Sequence, residues 1–390
     1  MSILGIIAEY DPFHNGHLYH LNTSRERVQP DFTYVALSPC IKQRGTFSLL
    51  SPADRAKCAV LCGADAVFSL PVLWTVRDAE HYALGALSLL YNLGITHLAF
   101  GAESNDLSLL QRIAELLESQ EAAFQSRLHM YLEQGAGYPS AISAAVTDLI
   151  PEAYGILHNP NNILAVCYLR AIRRLGVPIT PVLISRQGMY HEYSIVRDAP
   201  SASAIRNAVL RGDWPNAESA MPESVSAVIR EAFLSARHTE QRNIDRLMIS
   251  VLRSLTKKAA AYLPDVSEGL GDRLISCAGT VWSEKELLQS VGTKRYTASR
   301  ISRICAMAML GVSSDDLDSL ALPSYAHLLA MRKNSAMTST WKQCSIKVIT
   351  SLADAEDPLQ KEADLRAYHL WAECASLPYN AGLADYLFSI

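Results

Sequence analysis

The chain has 390 residues, 49% of them apolar, and 35 Lys and Arg against 39 Asp and Glu give a net charge of −4. That suffices for one to three domains with a substantial core; the near-neutral total does not mark a nucleic-acid binder, though a local basic face can hide within it. The 8 cysteines form no Cys-x-x-Cys pair and no Cys/His cluster at zinc spacing, so no metal site is expected and the thiols read as reduced and buried. The N-terminal apolar run is too short for a signal peptide and lacks a basic flank, and no stretch reaches the about 18–20 apolar residues that span a bilayer. A soluble cytoplasmic protein is expected.

In chain order, Ile3 to Ala8 is a short Ile-rich run bounded by Asp11, Pro12 and Gly16, which suits a buried parallel strand entering a loop. His17 to Arg27 reads as a helix and Thr33 to Leu37 as a second strand. Ser51 and Pro52 mark a helix start, as cap and first helical position, and Gly63 its end. Ala66 to Leu70 and His97 to Gly101 are further strands, with helical spacing over Asp78 to Leu93 between them. Leu107 to Ala145 reads as a helical insertion. Asn162 to Leu175 is a helix, Thr180 to Ile184 a strand, and Ser201 to Arg211 a helix with a serine-rich start.

The alternation predicts an α/β fold, a doubly wound, Rossmann-like domain with a parallel sheet. Beyond about residue 235 helical periodicity dominates: Leu247–Leu255, Glu284–Ser290, Thr297–Leu310, Ser324–Met331 and Leu365–Ala375 read as helices. The expected division is therefore 1–235 for a nucleotide-binding domain and 236–390 for a mainly α-helical one. Nothing in the sequence points to an oligomeric state.

The most informative segment is Glu9-Tyr10-Asp11-Pro12-Phe13-His14-Asn15-Gly16-His17. It follows a strand, and its second histidine begins a helix. Two imidazoles at this spacing can face one pocket, while the helix start offers backbone N–H groups and a positive dipole end that suit a phosphate. Gly16 lets the backbone approach closely. A bare His-x-x-His is more often an ordinary loop and helix start; the strand–loop–helix setting favours the phosphate reading here. A zinc reading is weaker, because no third ligand is suggested by spacing. Ser201, Ser203 and Arg206 place hydroxyls and a guanidinium at another helix start, either as a plain serine cap or as the second half of the same phosphate site.

These motifs resemble the HIGH-type nucleotidyltransferase superfamily and, within it, the bacterial tRNA(Met) cytidine acetate ligase family. Glu9 to His20 is similar to that family's Glu-Tyr-Asn-Pro-Phe-His-Asn-Gly-His-Leu-Tyr-His, with Asp11 in place of Asn. Gln43-Arg44-Gly45, Asp65 to Pro71 (Ser69 replacing an acid), Phe100 to Glu103, Pro160 to Leu164, Ser201 to Arg206 and Lys294 to Ile304 resemble further motifs, so the likeness spans nearly the whole chain. One loop departs: Ser38-Pro39-Cys40-Ile41-Lys42 stands where the family has Ser-Gly-Asn-Phe before Gln-Arg-Gly. The resemblance implies that Ile7, Ala8, Glu9, Tyr10, Asp11, Pro12, Phe13, His14, Asn15, Gly16, His17, Leu18, Tyr19 and His20 hold ATP, with Gly101, Asn161 and Arg186 completing the pocket. It implies acetyladenylate formation from acetate and ATP, then acetylation of the wobble cytidine of elongator tRNA(Met) to N4-acetylcytidine.

Attack of a carboxylate on the α-phosphorus builds negative charge that needs aimed donors and usually Mg²⁺. His14 and His17 are assigned to the α-phosphate as catalytic residues, and Arg206 with Ser201 and Ser203 to the β and γ groups. For RNA, Lys294, Arg295, Arg300 and Arg303 cluster around Tyr296, either as a solvated helix face or as a stripe that meets phosphates and stacks a base. Arg44 is an RNA or phosphate contact or a plain loop residue. Lys57, on the helix after Ser51, reads as a solvated lysine more readily than as a site residue. Two other readings share the histidine loop: a small-molecule adenylyltransferase and a non-catalytic RNA-binding protein.

Overall fold

The structure is a computed structural model that describes residues 1–119, 121–185, 201–267, 269–293, 296–378 and 388–390. Strands β1 (Ile3–Ala8), β2 (Phe32–Leu37), β3 (Ala66–Ser69), β4 (His97–Ala102), β5 (Thr180–Ser185), β6 (Tyr325–Met331), β7 (Lys347–Ile349) and β8 (Phe388–Ser389) form one sheet. Its order is β5-β4-β1-β2-β3-β6-β7, with β8 also beside β6. The first five strands run parallel, as their connecting helices require.

The helices between them are α1 (Asn15–Val28), α2 (Pro52–Leu61), α3 (Val72–Thr75), α4 (Ala79–Asn92), α5 (Leu107–Ser119), α6 (Ala122–Glu133), α7 (Tyr138–Leu149) and α8 (Pro160–Leu175). A further helix, α9 (Ala202–Leu210), follows β5. Cap chemistry sets their starts: Ser51 accepts the Asp54 N–H, Asp78 accepts from Glu80 and His81, and Ser201 accepts from Ala204. The expected insertion is the trio α5 to α7.

Because successive strand residues face opposite ways, the sheet buries both faces. Leu4, Ile6, Val35, Leu37 and Val67 enter one core. Ile3, Tyr34, Ala36, Phe68, Leu98 and Phe100 enter the other, which α4, α5 and α8 cover. No helix among the described residues is long and apolar enough to cross a membrane.

One expectation is overturned. Ser324–Met331 reads as a helix in the sequence, yet Tyr325–Met331 is the buried strand β6, paired antiparallel to β3 and parallel to β7. A short apolar run fits either period, and the open edge of β3 supplies the hydrogen bonds that decide it. The expected division at 235/236 falls in the link between helices Glu223–Leu234 and Gln241–Ser254. Across that link the core is continuous: Ile249, Ile304 and Trp371 share the first cluster with Leu4 and Val35.

Two contacts tie β6 and the last long helix, Pro358–Cys374, to the parallel sheet. Asp364, on that helix, accepts the Val72 N–H at 2.6 Å and the Tyr325 hydroxyl at 2.7 Å. Burial pushes the Asp364 carboxyl up to about 7.

Candidate active site

The strand order reverses at β1, with β2 on one side and β4 on the other, so a crevice opens beyond the carboxyl ends of β1 and β4. The chain leaving β1 turns through Tyr10, in the left-handed region at φ 45°, into the α1 start. His14 is the N-cap of α1: its Nδ1 accepts the Gly16 N–H at 3.0 Å. His17 Nδ1 accepts the His14 N–H at 3.3 Å, a reciprocal box in which two imidazoles replace the usual Ser and Glu. With each Nδ1 acting as acceptor, a neutral ring carries its proton on Nε2, as a donor. The rings stack with centroids 3.7 Å apart, and Tyr10 meets His17 edge-on at 4.9 Å while Phe13 lies 5.6 Å away. Both histidines keep some solvent exposure, whereas Tyr10 and Phe13 are buried. Two donors held at a helix N-terminus can stabilise a phosphate.

Asp11 is the hub beneath this loop and is fully enclosed. Its Oδ1 accepts the Leu49 N–H at 2.8 Å, and its Oδ2 lies 2.5 Å from Lys42 Nζ and 3.4 Å from Arg206 Nη1. Arg206 also donates to the Asp11 carbonyl and, at 2.9 Å, to Ser203 Oγ. Burial pushes the Asp11 carboxyl up, but Lys42, Arg206 and Arg55 more than offset this and hold it below the ordinary carboxylate range. The structure therefore joins the histidine loop to the Ser201–Arg206 helix start, 195 residues away in sequence. Asn15 anchors the rim, its N–H donating to the Ala220 carbonyl at 2.9 Å and its amide to Ser219 at 3.2 Å.

The opposite wall comes from β4 and α8. Gly101 lies on β4, opposite Ile184 in β5. Just beyond it, Glu103 accepts from the Asn161 side chain at 2.5 Å and from the Asn162 N–H at 3.0 Å. Asn162 Oδ1 in turn accepts the Ser104 N–H at 2.9 Å. Arg186, Lys294 and Arg295 lie outside the described residues.

The Gln-Arg-Gly loop closes the third side. The Gln43 N–H donates to Glu9 Oε1 at 3.0 Å, and the Gln43 side chain donates to the Arg77 carbonyl at 2.8 Å. Gly45, at φ +81°, lies so near the helix Ala298–Leu310 that a Cβ would come within 2.5 Å of the Ser302 and Arg303 backbone, so only glycine fits. Arg44, at the tip of this turn, is exposed. Arg300 lies over the Tyr296 ring at 5.5 Å and donates to the Asp265 carbonyl at 2.6 Å. Arg303 is mostly buried, 3.9 Å from the Asp265 carboxylate. Within the expected basic stripe, both arginines are thus turned toward one loop of the chain itself.

Three residues that hold the site were not singled out from sequence. Lys42 was visible only as part of a departing loop. Arg55, 1% exposed, donates to the carbonyls of Glu9, Ser38, Pro39 and Leu50 and ties together the segments that follow β1 and β2. Its neighbour Lys57, two residues on, instead lies 4.0 Å from Glu231. Glu103 was within a quoted motif, and a lone carboxylate at a strand end was its only signal.

A helix N-terminus with paired imidazoles at the switch point of a parallel sheet defines a phosphate-binding α/β protein. The chain belongs to the HIGH Nucleotidyl Transferase family, whose profile matches residues 1–381. Among curated proteins it is similar to the tRNA(Met) cytidine acetate ligase of Acetivibrio thermocellus, at 32% identity over 97% of this chain and 96% of that one. The ligase of the same name from Kosmotoga olearia is 30% identical, over 95% and 94% of the two chains. Among solved structures, a crystal structure of Thermotoga maritima TmcAL bound with alpha-thio ATP superposes with a TM-score of 0.91 at 28% identity, covering 100% of both chains.

Proposed function

We propose that this chain is an ATP-dependent ligase that activates acetate as acetyladenylate and acetylates N4 of the wobble cytidine of elongator tRNA(Met). The observation that carries it is the meeting of His14, His17 and Arg206 around one helix N-terminus at the β1/β4 switch point. The names of its full-length relatives and the nucleotide-bound neighbour support the same reading.

In the first step an acetate oxygen attacks the α-phosphorus, the bond to the bridging oxygen breaks, and pyrophosphate leaves with the electron pair. His14 and His17 donate to the α-phosphate as its charge grows. Arg206, with Ser201 and Ser203, holds the β and γ groups. In the second step the cytidine N4 attacks the acyl carbon, AMP departs with the bonding pair, and N4 loses a proton. Segment 7–20 together with Gly101, Asn161 and Arg186 makes the nucleotide pocket in this reading. Mg²⁺ fits as a companion of the triphosphate rather than as a resident ion. Among the described residues no group of three His, Cys, Asp or Glu is placed to hold a metal, and the carboxylate beneath the loop, Asp11, is occupied by Lys42. When bound through phosphate oxygens, Mg²⁺ would offset their charge.

Residues 1–235 carry the nucleotide site, and 236–390 contribute the tRNA-facing side. Arg44 and Arg300 are the described candidates for RNA contact, alongside Lys294 and Arg295; the mostly buried Arg303 then serves chiefly to hold the Asp265 loop. The expected cellular place is the cytoplasm.

The test has two parts. Purified protein should exchange labelled pyrophosphate into ATP only when acetate is present. Mass analysis of tRNA nucleosides from cells lacking the gene should show loss of N4-acetylcytidine. Exchange that ignores acetate, or an unchanged nucleoside profile, sinks the proposal.

A further inference from the structure

Lys42 is a charged side chain in a place where charge needs a reason. Its side chain is 7% exposed and that of Asp11 is 1% exposed, with 2.5 Å between their charged atoms. A buried pair of this kind repays its desolvation only when geometry and partners are good, and a hydrophobic pair would serve stability as well. Asp11 is also badly placed in one respect: it puts a carboxylate under a loop built to receive a polyanion. Both residues stand where the chain departs from the family pattern described above, and the fold places the two departures in contact.

Three cations surround Asp11, and they are not equivalent. Arg55 is spent on backbone carbonyls. Arg206 is the one that reaches solvent, with its side chain 25% exposed, and it already leans on Asp11 at 3.4 Å. Lys42 alone is close, buried and directed at the carboxylate. The buried Lys42 has no access to a ligand, so any effect on one is exerted through Asp11. The Lys42 charge also acts on Glu284, whose carboxyl burial pushes up and which accepts a hydrogen bond from Ser302. Removing Lys42 would therefore leave Asp11 to Arg206.

We propose that Lys42 is a positioning residue for the nucleotide: by neutralising Asp11 it keeps the pocket floor from repelling a nucleoside triphosphate and leaves Arg206 available to the phosphates. This rests on the nucleotide-site reading above. The pair is an electrostatic device, so its two halves have unequal consequences for an anionic ligand although each substitution breaks the same contact.

The test is calorimetric titration of the full-length chain with ATP, ADP and adenosine, using wild type, Lys42→Met, Asp11→Asn and the double variant. Lys42→Met should weaken ATP binding about tenfold or more, because Asp11 would then compete with the phosphates for Arg206, a difference on the scale of about one pKa unit of interaction. The loss should shrink for ADP and vanish for adenosine. Asp11→Asn should weaken ATP binding clearly less than Lys42→Met does, even though both single variants melt at lower temperature. The double variant should recover most of the lost affinity. If Lys42→Met does not fold, Lys42→Gln, which keeps a donor for Asp11 without its charge, should show the same dependence on phosphate number. Equal weakening by both single variants, or a Lys42→Met loss that is the same for adenosine, overturns the inference and leaves a purely structural pair. Failure of the wild type to bind ATP overturns instead the nucleotide-site reading on which it rests.

Discussion

Two enclosed carboxylates behave in opposite ways in this protein. Asp11, under the histidine loop, sits among Lys42, Arg206 and Arg55 and is held below the ordinary range, so it stays ionised. Asp364, at the junction of α3 with β6, meets a backbone N–H and a tyrosine hydroxyl, and burial pushes it up to about 7. Burial alone raises both; the difference lies in the company each keeps. Beneath the histidine loop the chain invests in cations around an acid. Where it fastens its C-terminal half to the sheet it uses an acid as a hydrogen-bond acceptor that carries a proton near neutrality. The same buried residue type thus marks a working region in one place and a structural joint in the other.

The contrast can be broken at either end. The largest effect is expected from His14→Ala combined with His17→Ala, which should lower acetate-dependent ATP–pyrophosphate exchange by about 10³-fold or more, since one aimed donor alone supplies about 10²–10³. Asp364→Asn should leave that exchange at the wild-type rate; a comparable loss would erase the distinction between the two regions.

Next comes the pH dependence of folding. The folded Asp364 carboxyl, at about 7, lies above the ordinary value of 3.8, so the folded state holds the extra proton between those limits. Its contribution is full below about pH 4 and is lost as pH rises through about 7, on the order of 4 kcal/mol at about 1.4 kcal/mol per pKa unit. Urea melts from pH 4 to 8 should show wild-type stability falling relative to Asp364→Asn across that window. Parallel profiles would mean that the acid is not protonated in the fold.

Arg206→Ala should lower kcat/KM for ATP about 10–150-fold, in line with the ~1.5–3 kcal/mol of a hydrogen bond to a charged group. An unchanged value would confine Arg206 to its contact with Asp11. The smallest effect concerns the exposed tip of the Gln-Arg-Gly loop: Arg44→Ala should reduce the slope of log tRNA affinity against log salt by about 1. A full slope in filter-binding assays would remove Arg44 from the RNA surface.

Much of the site was legible because its parts are local. The strand, the turn formers and the helix start of residues 3 to 28 lie in one continuous segment, and His14 caps the helix it belongs to. Ser201 is likewise a cap whose target is three residues on. What escaped was non-local. Lys42 reads as an ordinary loop lysine until Asp11 stands 2.5 Å away. Arg55 reads as a helix surface residue until four loop carbonyls converge on it. The arginines near Tyr296 look like a basic stripe until Asp265 engages two of them.

By itself the sequence determined the parallel β/α order, the strand–loop–helix unit that carries the two histidines and the helix caps, because each depends on periodicity or on hydrogen bonds within a few residues. Tertiary structure alone decided that Tyr325–Met331 is a strand, since an apolar run of that length satisfies either period until a sheet edge offers partners. It also decided which buried charges are paired, because Coulomb energy depends on distances in space that spacing along the chain does not encode.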